Sequence, residues 1–188
     1  MKTRYEYKIP FIGDISVGKT SIVMRYIYDK FGDQTLSTIG VANLTTQVEI
    51  DDEEVTLNLW DTSGQERYRS LVPIYIKGAH LVVLVFDYSD KHTFEGLDEW
   101  DGLIKDLVEP SCQFILVANK SDLEPEIDLG EIKKWAQTHK YQVEFTSAKN
   151  GDHINDLFQQ IAFLAKNAKN MPQTQLKERK VTDKQGCC

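Results

Sequence analysis

The sequence predicts an α/β protein with a mostly parallel six-stranded sheet and helices on both faces. Three observations predict it. Short apolar runs alternate along the chain with stretches of helical period, as repeated strand and helix units require. Two of those runs, 81–86 and 114–118, are apolar throughout, the pattern of parallel strands covered on both faces. No internal repeat interrupts the alternation.

The elements follow in chain order. A strand over 8–12 leads into Gly13-Asp14-Ile15-Ser16-Val17-Gly18-Lys19-Thr20, and 20–28 reads as a helix. Residues 44–50 and 55–60 are strands flanking the acidic turn Asp51-Asp52-Glu53-Glu54, which makes them a hairpin. After the strand at 81–86, Leu97, Trp100, Ile104 and Leu107 recur at helical spacing. The strand at 114–118, a helix over 129–139 and a strand around 143–145 come next. Ile154, Leu157, Phe158, Ile161, Leu164 and Ala165 then form one apolar helix face. Pro10 conflicts with its strand, because a central proline removes a ladder donor; a bulge or a strand start would accommodate it. From Met171 the chain turns polar and holds almost nothing to bury, so the expected organisation is a domain over 1–170 and a flexible tail over 171–188.

Composition narrows the function classes. A chain of 188 residues with 41% hydrophobic and 27% charged residues suits one globular domain. Its net charge of -7, with scattered basic residues, opposes nucleic-acid binding, which needs a dense Lys/Arg face. Cys112, Cys187 and Cys188 make no disulfide framework, so a reducing compartment is expected. The start MKTRYEYKIP lacks a signal-peptide core, and no apolar run is long enough to span a bilayer. Membrane contact is therefore expected only through an added group.

The chemistry lies in the loops after the strands, where ligands of open α/β sheets bind. Gly13 to Thr20 fits G-x-x-x-x-G-K-[ST] between a strand and a helix, the arrangement that turns backbone N–H groups and a helix N-terminus onto phosphate oxygens. Lys19 would reach the outer phosphates, and Thr20 would hold Mg²⁺. Asp61-Thr62-Ser63-Gly64-Gln65-Glu66 follows a strand, so Asp61 can contact the ion through water, Gly64 can offer an N–H to the terminal phosphate, and Gln65 can orient a water. Asn119-Lys120-Ser121-Asp122 follows another strand. Its Asp122 can accept from N1 and the 2-amino group of guanine, whereas adenine would leave the carboxylate desolvated without donors. Thr146-Ser147-Ala148-Lys149 follows a third strand and makes an ordinary Asx turn at 119–122 an improbable coincidence.

GDISVGKT, Thr38, DTSGQE, NKSD and TSAK, in that order, resemble the nucleotide motifs of the Ras superfamily of small GTPases. Ser37-Thr38-Ile39-Gly40-Val41, Trp60 to Ser70, Tyr75-Ile76-Lys77-Gly78-Ala79 and the terminal cysteines resemble the Rab branch. The resemblance covers roughly residues 5 to 170 and the last two. It implies the P-loop small GTPase fold and a site for GTP or GDP made by Ile15, Ser16, Val17, Gly18, Lys19, Thr20, Ser21, Phe31, Thr38, Gly64, Asn119, Lys120, Asp122, Ser147, Ala148 and Lys149. Mg²⁺ would be held by Thr20, Thr38 and Asp61, and Gln65 would be the catalytic residue. Phe31 would stack on the base, a packing role being the equal alternative from sequence. Lys120 would cover the other face of the base, and Ala148 would contact its carbonyl. The loops around Thr38 and from Asp61 to about Tyr75 would be the two switches, relaxing when the terminal phosphate is lost. Partners implied are an exchange factor, an activating protein, an escort protein, a GDP-dissociation inhibitor and effectors, at the cytosolic face of an endomembrane compartment.

Three departures bear on function. Ala42-Asn43 stands where the Rab pattern has an acidic residue and a Phe, and that Phe normally joins an aromatic triad with residues matching Trp60 and Tyr75. Pro10 is the second. Ile15 is the third: it replaces the small residue expected beside the terminal phosphate, and its stiff branched side chain either crowds Gln65 and an inserted arginine finger or points harmlessly outward. The ending Gly186-Cys187-Cys188 is not C-a-a-X but resembles the double cysteine that Rab proteins geranylgeranylate, and two lipids anchor where one gives marginal binding. Two readings result: a GTPase that turns over slowly and directs vesicle traffic, and a GTP-locked membrane scaffold. A P-loop kinase is disfavoured by NKSD and TSAK.

Overall fold

The computed structural model describes residues 5–32, 41–64 and 70–168. Strand β1 (Tyr5–Ile12) is followed by α1 (Lys19–Tyr28), β2 (Val41–Ile50) and β3 (Glu53–Thr62). The short α2 (Val72–Ile76), β4 (Leu81–Asp87), α3 (Lys91–Glu95) and α4 (Leu97–Lys105) come next. The chain ends its described part with β5 (Gln113–Asn119), α5 (Leu129–His139), β6 (Gln142–Thr146) and α6 (Ile154–Asn167). Among the described residues the sheet has six strands in the order β2-β3-β1-β4-β5-β6, parallel except for β2 against β3.

Each continuous apolar run is continuous because its strand feeds two cores. Side chains alternate between the faces of a strand. On β4, Leu81, Val83 and Val85 join one cluster with Ile22, Leu157, Phe158 and Ile161 of α1 and α6. Val82, Leu84 and Phe86 join the other with Leu97, Trp100 and Ile104 of α4 and Ile132 of α5. The predicted apolar face of α6 is buried in the first cluster throughout. Leu107, read as the last contact of the preceding helix, lies beyond the end of α4 and is only partly buried.

The hairpin turn is shorter than its acidity suggests. Glu53 and Glu54 pair with Ile50 and Glu49, so only Asp51 and Asp52 turn, with φ of 52° and 62°. Left-handed geometry at both central residues is what a two-residue hairpin turn requires, and Asp tolerates it.

Pro10 is neither at a bulge nor at a strand start. β1 pairs with β3 without interruption from Tyr5 opposite Val55 to Phe11 opposite Asp61. The Lys8 carbonyl accepts the His80 N–H, and the Lys8 N–H donates to His80 Nδ1, both at 3.0 Å. Main-chain groups two residues apart share a side, so Pro10 also faces β4. Pairing of β1 with β4 begins only at Phe11 opposite Val83. The missing donor therefore falls between the His80 contacts and the start of that ladder.

Candidate functional site

The loops after β1, β3, β5 and β6 meet the N-terminus of α1 around a cleft of about 410 Å³. Ile15, Ser16, Gly18, Lys19, Thr20, Ser21 and Gly64 line one end, and Asn119, Lys120, Asp122, Ala148 and Lys149 the other, with Phe31 at the edge. That volume is in the range of small-molecule sites. Thr38, Gln65, Cys187 and Cys188 lie outside the described residues.

At the first end the backbone forms the cradle. Ser16 and Gly18 have φ of 63° and 98° and curl the loop into α1, whose first turn has no side-chain cap. Uncapped N–H groups and the helix dipole make that turn an anion site. Gly18 is required for a second reason: a Cβ there would lie 2.2 Å from Asn119 Nδ2, which donates to the Val17 carbonyl at 2.9 Å. Lys19 is 5% exposed and donates from Nζ to the carbonyls of Gly13 at 2.9 Å and Asp14 at 2.5 Å. Burial lowers its pKa to about 8, against the opposing pull of Asp61 and Asp14. A phosphate placed there would restore the charged form.

Beside the lysine, Thr20 Oγ1 donates to Asp61 Oδ2 at 2.7 Å, and Asp61 is 2% exposed. A hydroxyl and a carboxylate fixed together at the floor of an anion site are the hard oxygen donors that suit Mg²⁺. Gly64 lies directly on the cradle: a Cβ there would come within 2.3 Å of the Asp14 carbonyl and 2.4 Å of the Ile15 nitrogen. Ile15 is 47% exposed and lines the cleft, so it stands on the rim. Asp14 is tied to the second core, since Trp100 Nε1 donates to its Oδ1 at 2.8 Å.

At the other end the carboxylate is held. Ser147 Oγ donates to Asp122 Oδ1 at 2.6 Å, and Lys149 Nζ lies 3.8 Å from Oδ2. Asn119 fastens the loops to one another: besides its bond to Val17, its Oδ1 accepts from Thr146 Oγ1 at 3.1 Å and the Ala148 N–H at 3.3 Å. Lys120 is drawn along the cleft by Asp87, 2.5 Å away, whose Oδ1 accepts from Ser89 N–H and Oγ. Phe31 is 41% exposed on the cleft edge. Val17 and Ser147 are fully buried behind the cleft lining, where the Val17 carbonyl accepts from Asn119 and the Ser147 hydroxyl donates to Asp122.

The sequence pattern did not single out Thr62, Ser63 and Leu123 as lining residues, nor Trp100 as a tether of the cradle. A buried indole needs a partner for its N–H, which is the one hint Trp100 gave. On the outer face of β3, Asn43 pairs opposite Trp60, which stays near Tyr75 with ring centroids 6.4 Å apart. Lys8 Nζ sits 4.2 Å above the Trp60 ring.

A sequence model of the Ras family matches residues 8–167. The chain is also similar to Ras-related protein SEC4 of Saccharomyces cerevisiae (strain ATCC 204508 / S288c), with 37% identity over 162 residues, 84% of this chain and 74% of that protein.

Proposed function

This chain belongs to the Ras family, and on that premise we propose that it is a Rab-like small GTPase whose nucleotide state controls partner binding in vesicle traffic. Proteins of this family are GTP hydrolases that bind GTP or GDP with Mg²⁺. The observation that carries the reading is one cleft with a phosphate cradle at one end and the tethered Asp122 carboxylate at the other.

In this reading Asp122 accepts from N1 and the 2-amino group of guanine while Phe31 and Lys120 flank the ring. Lys19 and the first turn of α1 receive the phosphates. Thr20 and Asp61, joined by Thr38, would hold Mg²⁺, which would neutralise phosphate charge. Gly64 donates its N–H to the terminal phosphate, and Gln65 orients the water that attacks it. Release of that phosphate frees Thr38 and Gly64, and the surface read by effectors changes. Asn43, beside Trp60, gives that surface a polar contact in place of an aromatic one.

Ile15 makes hydrolysis slow. Ile15 lines the rim of the cleft and its backbone nitrogen lies against Gly64, so in this reading its branched side chain crowds Gln65 and an inserted arginine finger. A finger contributes about 10³ to 10⁵ in rate, so excluding it outweighs small changes in how the nucleotide is held. Single-turnover GTP hydrolysis of the wild type, Ile15→Gly and Gln65→Leu, with and without an activating protein, tests this. Ile15→Gly is expected to be faster and Gln65→Leu slower, with nucleotide binding kept in all three. An Ile15→Gly rate equal to wild type under both conditions refutes the role of Ile15. A wild type without measurable turnover favours the GTP-locked scaffold, the reading that the rim position of Ile15 also supports.

An exchange factor, an activating protein, an escort protein, a GDP-dissociation inhibitor and effectors are the partners of such a cycle. Geranylgeranyl groups on Cys187 and Cys188 place it on the cytosolic face of an endomembrane.

A further inference from the structure

We propose that Arg25 of α1 is a positioning residue for guanine recognition, holding the 147–150 turn so that the Lys149 N–H faces the 6-oxo group of the base. The inference rests on the guanine-nucleotide reading above and assigns a donor and its support within that site.

Arg25 stands behind the turn, outside the cleft lining, with its side chain 17% exposed. Its Nε donates to the Ala148 carbonyl at 2.8 Å and its Nη2 to the Lys149 carbonyl at 2.7 Å. Its Nη1 is held by Asp29 Oδ1 at 3.0 Å, one helical turn on. The planar fork thus fixes two successive peptide groups, which a lysine's single ammonium matches poorly.

A trans peptide carries its C=O and N–H on opposite sides. With the Lys149 carbonyl drawn to Arg25, the Asn150 N–H points the other way, and it donates to Ser147 Oγ at 3.1 Å. By the same geometry the Ala148 carbonyl turned to Arg25 sends the Lys149 N–H to the cleft side. The neighbouring Ala148 N–H is directed to Asn119 Oδ1. The Lys149 N–H therefore stands beside the Ala148 N–H, whose 3.3 Å contact with Asn119 is a long one, as a second donor for the base carbonyl. Arg25 also lies on the helix whose first turn holds Lys19 and Thr20, so one rigid element supports both ends of the site.

The test is the affinity of wild type, Arg25→Ala and Arg25→Lys for GDP, for its 6-thio analogue and for IDP. The 6-thio analogue keeps N1–H and the 2-amino group but weakens the acceptor at position 6, whereas IDP lacks the 2-amino group that Asp122 reads. Wild type should prefer GDP over both. Arg25→Ala should weaken GDP by about tenfold and bring the ratio of GDP to 6-thio-GDP towards one, with the ratio of GDP to IDP kept. Arg25→Lys should fall between. An unchanged GDP affinity overturns the inference. So does an equal loss for all three ligands, which marks a merely structural role. A wild type that binds no guanine nucleotide fails the functional reading itself, before any variant is compared.

Discussion

Asp14 holds three parts of the molecule at once: its carbonyl receives Lys19, its backbone touches Gly64, and its carboxylate receives the indole of Trp100. Trp100→Phe keeps most of the apolar volume and deletes that donor. It should lower stability by about 1–2 kcal/mol, read from urea unfolding, and speed GDP release from the loosened cradle. An unfolding midpoint equal to wild type would show that the tether contributes nothing. Lys19, Thr20, Asp61 and Asp122 were legible in the sequence because residue type and spacing encode their chemistry directly. Asn119 and Trp100 were only partly legible and Arg25 was not legible at all, because their roles depend on partners in other loops and helices. Asn119 read as a base-site residue, yet most of its hydrogen-bonding capacity joins the cradle to the 146–148 loop.

Among the elements, β1 illustrates what a strand pattern omits. Residues 8–12 read as a strand leading into the cradle, but how Pro10 is accommodated there involves a histidine from the turn before β4. His80 Nδ1 must be unprotonated to accept the Lys8 N–H, and burial together with the charge of Lys8 lowers the His80 pKa below 6.5. Between the lowered pKa and 6.5 the unfolded chain binds more protons than the folded one, so stability rises with pH across that window. It should be fully present above about pH 6.5 and decline as pH falls below it. Chemical denaturation between pH 5 and 7.5 reads this, and His80→Gln, which retains an acceptor that does not titrate, should flatten the slope. A slope unaffected by the substitution would assign it to other groups. The hairpin boundaries were misplaced for a related reason: charge marked Glu53 and Glu54 as turn, whereas pairing with β2 decides the register.

For the whole molecule, the alternation of strands and helices was enough to predict the sheet, and the sheet explains why motifs far apart in the chain share one cleft. Strands β1, β3, β4, β5 and β6 run parallel, so the loops that follow them emerge at the same edge. Among the described residues no helix is long and apolar enough to cross a membrane. The attachment proposed through the terminal cysteines predicts that deleting Cys187 and Cys188 moves the protein from membranes to cytosol in a fractionation experiment; persistence in the membrane fraction would argue for another anchor. Guanine recognition by Asp122 is the claim on which the remaining reading depends, and its affinity for two bases tests it most directly. In Asp122→Asn, the side-chain amide offers one acceptor and one donor, which suit N1–H and the 2-oxo group of xanthine instead of the two donors of guanine. GDP should bind about a hundredfold or more weakly than to wild type, and XDP should become the preferred ligand. Unchanged GDP affinity in Asp122→Asn, or no gain for XDP, would contradict the account.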